Sequence, residues 1–414
     1  IYKGQFLVSL EEDWAPEGQP DSFKSGDLVA FDVEAFLETR TLPTVSLVFH
    51  PDATQAVNGV AIAKGAALLS INDNVVGRVM RLEPGADGWT HVPIDLPGTG
   101  QAGIAFSDEH EEAVFLNYED FLTPDSLLSY DIRTGDVTSL KSLPGKFDAS
   151  DLKVEQFFAT SRDGTKVPYF IVHKADMPFD ASTPTLLYGY GGFQVSMNPS
   201  YSPVTGRLWL EQGGAYVLAN IRGGGEFGPA WHQAGLKLNR QRVYDDFIAV
   251  GEDLISRKIT RSEHLGIMGG SNGGLLMGVM LNQRPDLWNA VVQVPLLDML
   301  RYHHLLAGAS WVDEYGSPEV PEERAFLETF SPYQNFDASR PYPEPFFVTS
   351  TKDDRVHPGH ARKMAKLFED AGLPFLYYEN VDGGHSAAAN QTERAKRTAL
   401  EFTYLSKRLF PEGR

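Results

Sequence analysis

The stretch His264–Met277 constrains the fold of this chain more than any other, because an apolar strand pattern, a glycine-rich turn and a helix start follow one another directly. At its apex, residues 269–273 read Gly-Gly-Ser-Asn-Gly and fit the pattern G-x-S-x-G. Glycines relieve the crowding of such a turn, while the serine hydroxyl is exposed above the sheet. We therefore predict that Ser271 occupies a nucleophile elbow. The alternative is a glycine-rich connection with an idle serine.

Length, charge and cysteine content narrow the class of protein. The 414 residues, 42% of them hydrophobic, exceed an ordinary domain of about 100–200 residues, so we expect two domains. The 36 basic and 55 acidic residues give a net charge of −19, which disfavours nucleic acid and anionic membranes as partners. The absence of cysteine excludes disulfides and thiol catalysis.

With no apolar run of about 18 residues and no leader pattern, we expect a soluble protein, either cytoplasmic or periplasmic.

Residues 1–145 consist of short apolar or alternating runs separated by Gly, Pro, Asp and Asn, which is typical of β structure. The stretch Gly59–Leu82 is echoed by Gly103–Tyr130, at a period of about 44 residues that is typical of propeller blades. Phe6–Leu10 and Asp27–Asp32 resemble the later part of a third unit. We predict two to three blades of a β-propeller here. A plain β-sandwich is the alternative.

From residue 146 to residue 414, near-continuous apolar runs alternate with helical patterns. Apolar runs of this kind belong to strands of a parallel sheet covered on both faces, and their alternation with helices predicts a doubly wound α/β domain. The predicted strands are Pro184–Tyr190, Ala215–Asn220, Leu265–Met268, Ala290–Val294, Pro345–Ser350 and Pro374–Tyr378. The predicted helices are Tyr244–Arg257, Gly273–Arg284, Gly359–Ala371 and Thr392–Phe410.

A serine nucleophile needs a base within hydrogen-bond reach and a carboxylate that orients this base. In hydrolases with an elbow of this kind, the three catalytic residues occur along the chain in the order Ser, then Asp or Glu, then His. Asp353 and Asp354 follow one predicted strand and His385 follows the next, so they lie at carboxyl ends of strands that face a shared crevice. Ser271, one of the two aspartates and His385 are therefore the candidate catalytic triad. A solvated Asp-Asp turn and a structural histidine are the alternatives.

The glycine-rich run Tyr188–Phe193 follows an early strand, where such folds keep the loop that completes an oxyanion hole. One donor would be the backbone N–H of Asn272, the residue after the nucleophile. The hydroxyls of Tyr188 and Tyr190 are candidates for the second donor.

Cofactor and metal sites are not expected. The run Arg222–Gly228 is rich in glycine, but no G-K-[ST] follows it, so we reject nucleotide binding. No H-E-x-x-H pattern occurs, and we expect the adjacent His303 and His304 to point to different faces. We therefore predict neither a metal ion nor a cofactor.

Seven motifs occur in the second half of the chain: Tyr188–Phe193, Asn220–Gly228, Gly269–Gly274, Leu297–Leu300, Trp311–Gly316, Asp353–Val356 and Gly384-His385. Together they resemble the prolyl oligopeptidase family of serine peptidases. The resemblance implies an α/β-hydrolase domain at 146–414, capped by a seven-bladed β-propeller whose second half would be 1–145. It implies that the triad is Ser271, Asp353 and His385, and that the second oxyanion donor is the Tyr190 hydroxyl.

The resemblance also implies how a substrate would be held. Arg355 would grip a substrate carbonyl, while Trp311 would stack on a proline ring. An ordinary core aromatic is the alternative for Trp311. The residues implied to share the proline pocket are Phe193, Tyr315, Leu296 and Val356.

The function expected from these residues is a serine endopeptidase that hydrolyses short peptides after proline through an acyl-enzyme on Ser271. A sister oligopeptidase specific for basic residues is the nearest rival, because Asp313 and Glu314 lie near Trp311 in the sequence. An esterase of the same fold would be expected to carry a lid in place of β repeats. A non-catalytic propeller binding module would not need the triad.

Compared with the family, the sequence lacks the first four or so blades and an amino-terminal segment. We therefore expect the chain to be part of a longer polypeptide. Its length would be about 700 residues if the blades and the amino-terminal segment that the resemblance implies are added to the 414 present. We expect the complete protein to be monomeric and its partners to be short proline-containing peptides.

Overall fold

The structure, a computed structural model, describes residues 1–85 and 88–411, and the chain divides into two compact units. The first unit comprises residues 1–146 with two later segments, 198–203 and 225–233. The second unit comprises the rest of the chain. In the described residues, no helix is both long and apolar enough to cross a membrane.

The first unit contains three antiparallel sheets. Strands β1 to β3 form a three-stranded sheet, and β4 to β7 and β8 to β11 form four-stranded sheets in which each strand pairs with the next in sequence. The two copies seen in the sequence fall on the first three strands of the two four-stranded sheets. The strand bounds are β1 Gln5–Ser9, β2 Leu28–Asp32, β3 Ser46–Phe49, β4 Gln55–Ala63, β5 Ala66–Asp73, β6 Val76–Gly85, β7 Gly88–Pro93, β8 Gln101–Phe106, β9 Ala113–Glu119, β10 Ser126–Asp131 and β11 Val137–Ser142.

Strand β5 is buried on both faces, as expected of an inner strand in a propeller blade that lies between two neighbours. Successive side chains of a strand point to opposite faces. Leu68 of β5 packs in one apolar cluster with Leu116 of β9, whereas Leu69 packs in another cluster with Leu28 of β2. The near-continuous apolar run of β5 therefore reflects a strand that contacts both neighbouring sheets.

The second unit is organised around an eight-stranded sheet in the order β12-β13-β15-β14-β16-β17-β18-β19. The pairs formed by β12 with β13 and by β13 with β15 are antiparallel, and the other pairs are parallel. The predicted doubly wound, mostly parallel sheet preceded by a β domain is therefore confirmed. The strand bounds are β12 Leu152–Thr160, β13 Lys166–Lys174, β14 Thr185–Tyr188, β15 Ala215–Ala219, β16 Leu265–Gly270, β17 Ala290–Val294, β18 Pro345–Ser350 and β19 Leu376–Asn380.

From β14 onward, helices follow the strands in sequence, and short 3-10 turns lie among them. The α-helix bounds are α1 Val33–Thr39, α2 Pro203–Thr205, α3 Pro229–Gln233, α4 Gln241–Ser256, α5 Asn272–Gln283, α6 Val312–Tyr315, α7 Pro321–Phe330, α8 Gly359–Asp370 and α9 Gln391–Leu409. A π-helical turn spans Gly206–Leu210, and 3-10 turns span Lys237–Asn239, Ser262–His264, Tyr302–His304 and Leu306–Trp311. Helix α1 lies in the half that the sequence indicated to be all β; its N-cap, Asp32, accepts a hydrogen bond of 2.9 Å from Ala35 N.

Helices cover both faces of the large sheet. Ile267 of β16 packs in the main apolar cluster with Phe247 of α4 and Leu276 of α5. The preceding residue, Gly266, points to the other face, where a Cβ atom would lie 2.6 Å from Leu409 of α9. Both faces of β16 are thus buried, which fixes the position of the turn that follows it.

Candidate active site

Ser271 lies where the order of the parallel strands reverses. Strand β14 has β15 on one side and β16 on the other, so the chain continues in opposite directions across the sheet from these two adjacent strands. In open α/β sheets, ligands bind beyond the carboxyl ends of the strands at such a switch point. Ser271 directly follows β16, and Tyr190 follows β14. The strand order therefore brings both residues to the edge where a ligand would bind.

The turn at Ser271 has a backbone conformation that neighbouring glycines make possible. Ser271 has φ 58° and ψ −118°, a conformation that costs a non-glycine residue about 1–3 kcal/mol. A Cβ atom on Gly269 would lie 2.5 Å from the carbonyl oxygen of Gly273. A Cβ atom on Gly273 would lie 2.9 Å from the carbonyl oxygen of Gly189. Only glycine fits at either position, so the strand, the turn and the helix can approach closely.

The structure joins His385 to Asp353 rather than to Asp354. His385 Nδ1 lies 2.9 Å from Oδ2 and 3.0 Å from Oδ1 of Asp353. Asp353 is buried, whereas Asp354 is exposed. Burial acts to raise the pKa of Asp353, but the hydrogen bonds from His385 and from the backbone N–H groups of Arg355 and Val356 outweigh it and lower the pKa. The carboxylate is therefore charged at neutral pH and can orient the imidazole.

The loop that carries His385 is fixed by the ends of β18 and β19. Asn380 Oδ1 accepts hydrogen bonds from the backbone N–H of Asp382 at 2.9 Å and of Gly383 at 2.6 Å. The Ser350 hydroxyl donates to the carbonyl oxygen of Gly383. These bonds hold the turn that precedes His385, so its position depends on the sheet edge rather than on an unsupported loop.

Asn272 begins α5 and connects the elbow to the loop after β14. The backbone N–H groups of the first helical turn have no intrahelical partner, and the helix dipole adds positive potential there. The side-chain Nδ2 of Asn272 donates to the carbonyl oxygen of Tyr190 at 2.6 Å. A Cβ atom on Gly192 would lie 2.6 Å from the same Nδ2, so glycine is needed for this approach. The two candidate oxyanion donors are therefore held by one side chain.

Tyr190 is half-buried beside the candidate nucleophile. Burial raises the pKa of its hydroxyl above the ordinary value, while interactions with Ser271, Arg240 and Arg355 act in the opposite direction. The hydroxyl therefore stays protonated at neutral pH and can donate a hydrogen bond. Arg355, which is exposed, is close enough to interact electrostatically with this hydroxyl.

Not every pair of the predicted triad is in contact. Within residues 1–85 and 88–411, no hydrogen bond joins Ser271 to His385. Catalytic hydrogen bonds are commonly long in the free enzyme and shorten when substrate binds. The structure thus brings His385 and Asp353 together, and it places Ser271 beside Tyr190.

The aromatic residues implied to bind proline belong to one apolar cluster. Phe193 and Tyr315 make an edge-to-face contact with ring centroids 5.6 Å apart. Trp311 lies parallel to Tyr302 at 6.3 Å, and Tyr302 contacts Tyr315 edge to face at 5.5 Å. Leu296, Tyr315 and Val356 are buried in the same cluster, against which Phe193 and Trp311 pack. Tyr302, which the motifs did not single out, connects Trp311 to Tyr315. We call the four residues Phe193, Tyr302, Trp311 and Tyr315 the aromatic wall.

Two buried charged residues beneath the site were not predicted. Arg240 donates to Glu314 Oε1 at 2.7 Å and also to Asn272 Oδ1. Glu314 Oε1 accepts a further hydrogen bond of 3.0 Å from the backbone N–H of Phe193. Glu314 lies within the motif Trp311–Gly316, but the sequence indicates no role for it other than pairing with a substrate cation. Arg240 carries no signal of its own, since a charged residue before a helix is usually solvated.

The expectation for His303 and His304 is wrong. We expected the two side chains to point to different faces, but Nε2 of His303 and Nε2 of His304 lie 3.0 Å and 3.3 Å from the same oxygen, Oε1 of Glu319. The two residues lie in a 3-10 turn, in which side chains do not alternate as in a strand. Their rings are consequently adjacent, with centroids 3.6 Å apart.

Comparison with known proteins matches both halves of the chain. The model of the prolyl oligopeptidase family matches residues 199–410. The model described as the prolyl oligopeptidase N-terminal β-propeller domain matches residues 13–142. Together, the two matches cover strands β2 to β11 of the first unit and the triad candidates Ser271, Asp353 and His385, whereas Tyr190 and Phe193 lie before the second match.

Individual relatives are similar over most of the chain. An uncharacterised peptidase of Sinorhizobium fredii is 55% identical over 409 residues, which are 99% of this chain and 56% of that protein. A prolyl endopeptidase of Elizabethkingia meningoseptica is 39% identical over 71% of this chain and 42% of its own length. The structure of a post-proline cleaving enzyme from Rickettsia typhi has a TM-score of 0.90 and 36% identity, over 99% of this chain and 59% of that one. The chain thus spans less than two thirds of the relatives that it matches.

Proposed function

Because this chain belongs to the prolyl oligopeptidase family, we propose that it carries the active site of a serine endopeptidase that cleaves short peptides after proline. The observation that supports this most is the hydrogen-bonded pair of His385 and Asp353 beyond β18 and β19, on the same sheet edge as the elbow at Ser271. A nucleophile, a base and a carboxylate in these roles are the requirements for acyl transfer.

In the proposed mechanism, His385 takes the proton of Ser271 Oγ as this oxygen attacks the carbonyl carbon of the proline residue. The negative charge that develops on the carbonyl oxygen is stabilised by the backbone N–H of Asn272 and the hydroxyl of Tyr190. The intermediate collapses to an ester on Ser271, and His385 passes its proton to the departing amine. Water then attacks the ester by the same route and releases the acid.

Proline specificity is favoured over basic specificity by the state of the nearby acids. A pocket for a substrate cation needs a buried carboxylate that can pair with it. Glu314 is buried but already paired with Arg240, and Asp313 is fully exposed, 3.7 Å from Lys237. The surface near Trp311 is instead aromatic, which suits the apolar ring of proline.

Labelling with a fluorophosphonate, which reacts with activated serines, tests the assignment of the nucleophile. We expect the wild-type protein to be labelled at Ser271, as mapped by mass spectrometry of its peptides. Ser271→Ala and His385→Ala should each lose labelling, while Ser339→Ala, at an exposed serine in a loop, should be labelled as the wild type is. Labelling at another serine, or full labelling of Ser271→Ala, would overturn the proposal.

A further inference from the structure

His303, His304 and Glu319 form a compact group of nitrogen and oxygen atoms outside the proposed active site. One ligand atom from each residue lies within 4.8 Å of the other two. The His303 side chain is largely buried, whereas those of His304 and Glu319 are 67% and 70% exposed. Bulk solvent can therefore reach His304 and Glu319, whereas His303 is largely shielded from it.

The spacing of these atoms agrees with the coordination of zinc. Zinc binds imidazole nitrogen at about 2.0–2.1 Å and carboxylate oxygen at about 2.0–2.2 Å, usually in a tetrahedron, so two ligand atoms lie about 3.3 Å apart. The two Nε2 atoms lie 3.0 Å and 3.3 Å from Glu319 Oε1. To place an ion between the three atoms, the His303 and His304 rings, whose centroids lie 3.6 Å apart, would have to turn until both Nε2 atoms point to it.

The backbone around Glu319 is held independently of the histidines. Ser317 Oγ accepts a hydrogen bond of 3.2 Å from Glu319 N, and its carbonyl oxygen accepts one of 3.1 Å from Val320 N. Ser317 N donates to Glu323 Oε2 of α7 at 2.6 Å. The Glu319 carboxylate is thus presented from a hydrogen-bonded turn.

We propose that His303, His304 and Glu319 bind a divalent metal ion of the zinc class, with water in the remaining coordination position. Two imidazoles and one carboxylate are ligands that suit zinc, whereas magnesium and calcium prefer oxygen alone. Arg301 and Arg324 line the same cavity of about 710 Å³ as His304 and Glu319 and oppose cation binding. The Arg324 guanidinium is paired with Glu328 at 3.1 Å, which offsets part of this effect.

An ion at this site would tie together the two ends of the segment 303–319. The segment contains Trp311 and Tyr315, and Tyr302 just before it packs against both rings and donates to the carbonyl oxygen of Gly316 at 2.6 Å. The His303 ring also contacts Tyr302, with centroids 5.7 Å apart. Metal binding would therefore restrain the aromatic wall described above, whatever substrate that wall receives.

The test is competition for Zn²⁺ between the purified protein and a chromophoric chelator. We expect one ion per wild-type chain, and His304→Gln and Glu319→Gln should each weaken binding at least about tenfold, because even outer-shell partners of zinc ligands are worth about 10–100-fold. His110→Gln is the matched control, since His110 is an exposed histidine of the first unit. Its affinity should equal that of the wild type.

Two further measurements separate metal binding from unfolding. Zn²⁺ should raise the melting temperature of the wild type but not that of His304→Gln, whose exposed side chain can be replaced without loss of core packing. Co²⁺ should give the visible absorption of a tetrahedral site in the wild type, and Mg²⁺ should not compete. Absence of stoichiometric Zn²⁺ binding, or equal affinity in folded wild type and His304→Gln, would overturn the proposal.

Discussion

Arg240 Nη1 lies 2.7 Å from Glu314 Oε1, and both side chains are almost completely buried, with 1% and 5% of their surface exposed. Arg240 also donates to Asn272 Oδ1 and lies over the ring of Tyr315, 4.9 Å from its centroid. Glu314 in turn accepts from Phe193 N. One ion pair therefore connects the residue after the candidate nucleophile to two residues of the aromatic wall.

Removal of one member of this pair should be costly. A buried charge without its partner typically costs about 3–5 kcal/mol, so Glu314→Gln should lower the free energy of unfolding by that amount. Glu328→Gln, which breaks the exposed pair with Arg324, should change it by less than about 1 kcal/mol. Urea unfolding measures both. Similar effects of the two substitutions would contradict the assigned role of burial.

Ser271 and His385 should act as one unit. Ser271→Ala and His385→Ala are each expected to remove nearly all peptide hydrolysis, and the double variant should be little worse than either. The reason is that the base has no function without the nucleophile, and the nucleophile is not activated without the base. Initial rates with a short chromogenic peptide give the comparison; losses that multiply in the double variant would argue against a shared mechanism.

Tyr190→Phe tests the second oxyanion donor. Loss of one such donor lowers kcat by about 10²–10³, because the hydrogen bond forms fully only when the carbonyl oxygen becomes charged. KM should change far less. Tyr188→Phe is the control, since Tyr188 ends β14 and is the other candidate for the second donor. An unchanged kcat in Tyr190→Phe together with a loss in Tyr188→Phe would reverse the assignment.

Trp311→Ala should affect binding more than chemistry. A stacked aromatic ring contributes about 0.5–1.5 kcal/mol beyond its burial, so KM for a proline peptide should rise severalfold with a smaller change in kcat.

Arg355→Ala should instead weaken the binding of longer peptides more than that of short ones, because it removes a charge-assisted hydrogen bond to a backbone carbonyl. Steady-state kinetics on a dipeptide and a tetrapeptide substrate distinguish these outcomes from a general loss of activity.

Glu379 of β19 should make the stability of the second unit depend on pH. The hydrogen bond from Arg362 has the largest effect on its carboxylate; burial opposes it, and hydrogen bonds from Thr351 and Tyr377 assist, so its pKa falls from 4.5 to about 2. Its stabilising contribution is therefore complete above pH 4.5 and is lost as the pH falls toward 2.

Glu379→Gln should accordingly be less stable than the wild type at neutral pH, and the difference should shrink at about pH 3.5. Urea unfolding at the two pH values measures it. Glu369→Gln, at an exposed residue of α8, serves as the control. A difference that stays constant with pH would show that Glu379 acts through packing rather than charge.

The fold was predictable where apolar patterns are long. The strand predicted at Leu265–Met268 and the helix predicted at Gly273–Arg284 are observed at Leu265–Gly270 and Asn272–Gln283. The family resemblance is confirmed by the match to residues 199–410. Such a strand can be predicted because burial of both its faces requires apolar residues at successive positions.

The connections within the site were less predictable. Arg240 and Glu314 are 74 positions apart, and nothing local indicates that either charge is buried. The 3-10 turns around His303 are short and lack a hydrophobic period, so the direction of their side chains could not be inferred. Both features arise from how distant segments meet in the folded unit.

The most direct test of the proposed function is a scan of the residue before the cleaved bond. Short chromogenic peptides that differ only in this residue, with proline, alanine, arginine or lysine, would be compared by kcat/KM on the purified protein. We expect proline to be preferred by at least about tenfold over each of the others, the scale on which a well-filled apolar pocket discriminates. A preference for arginine or lysine would contradict the account.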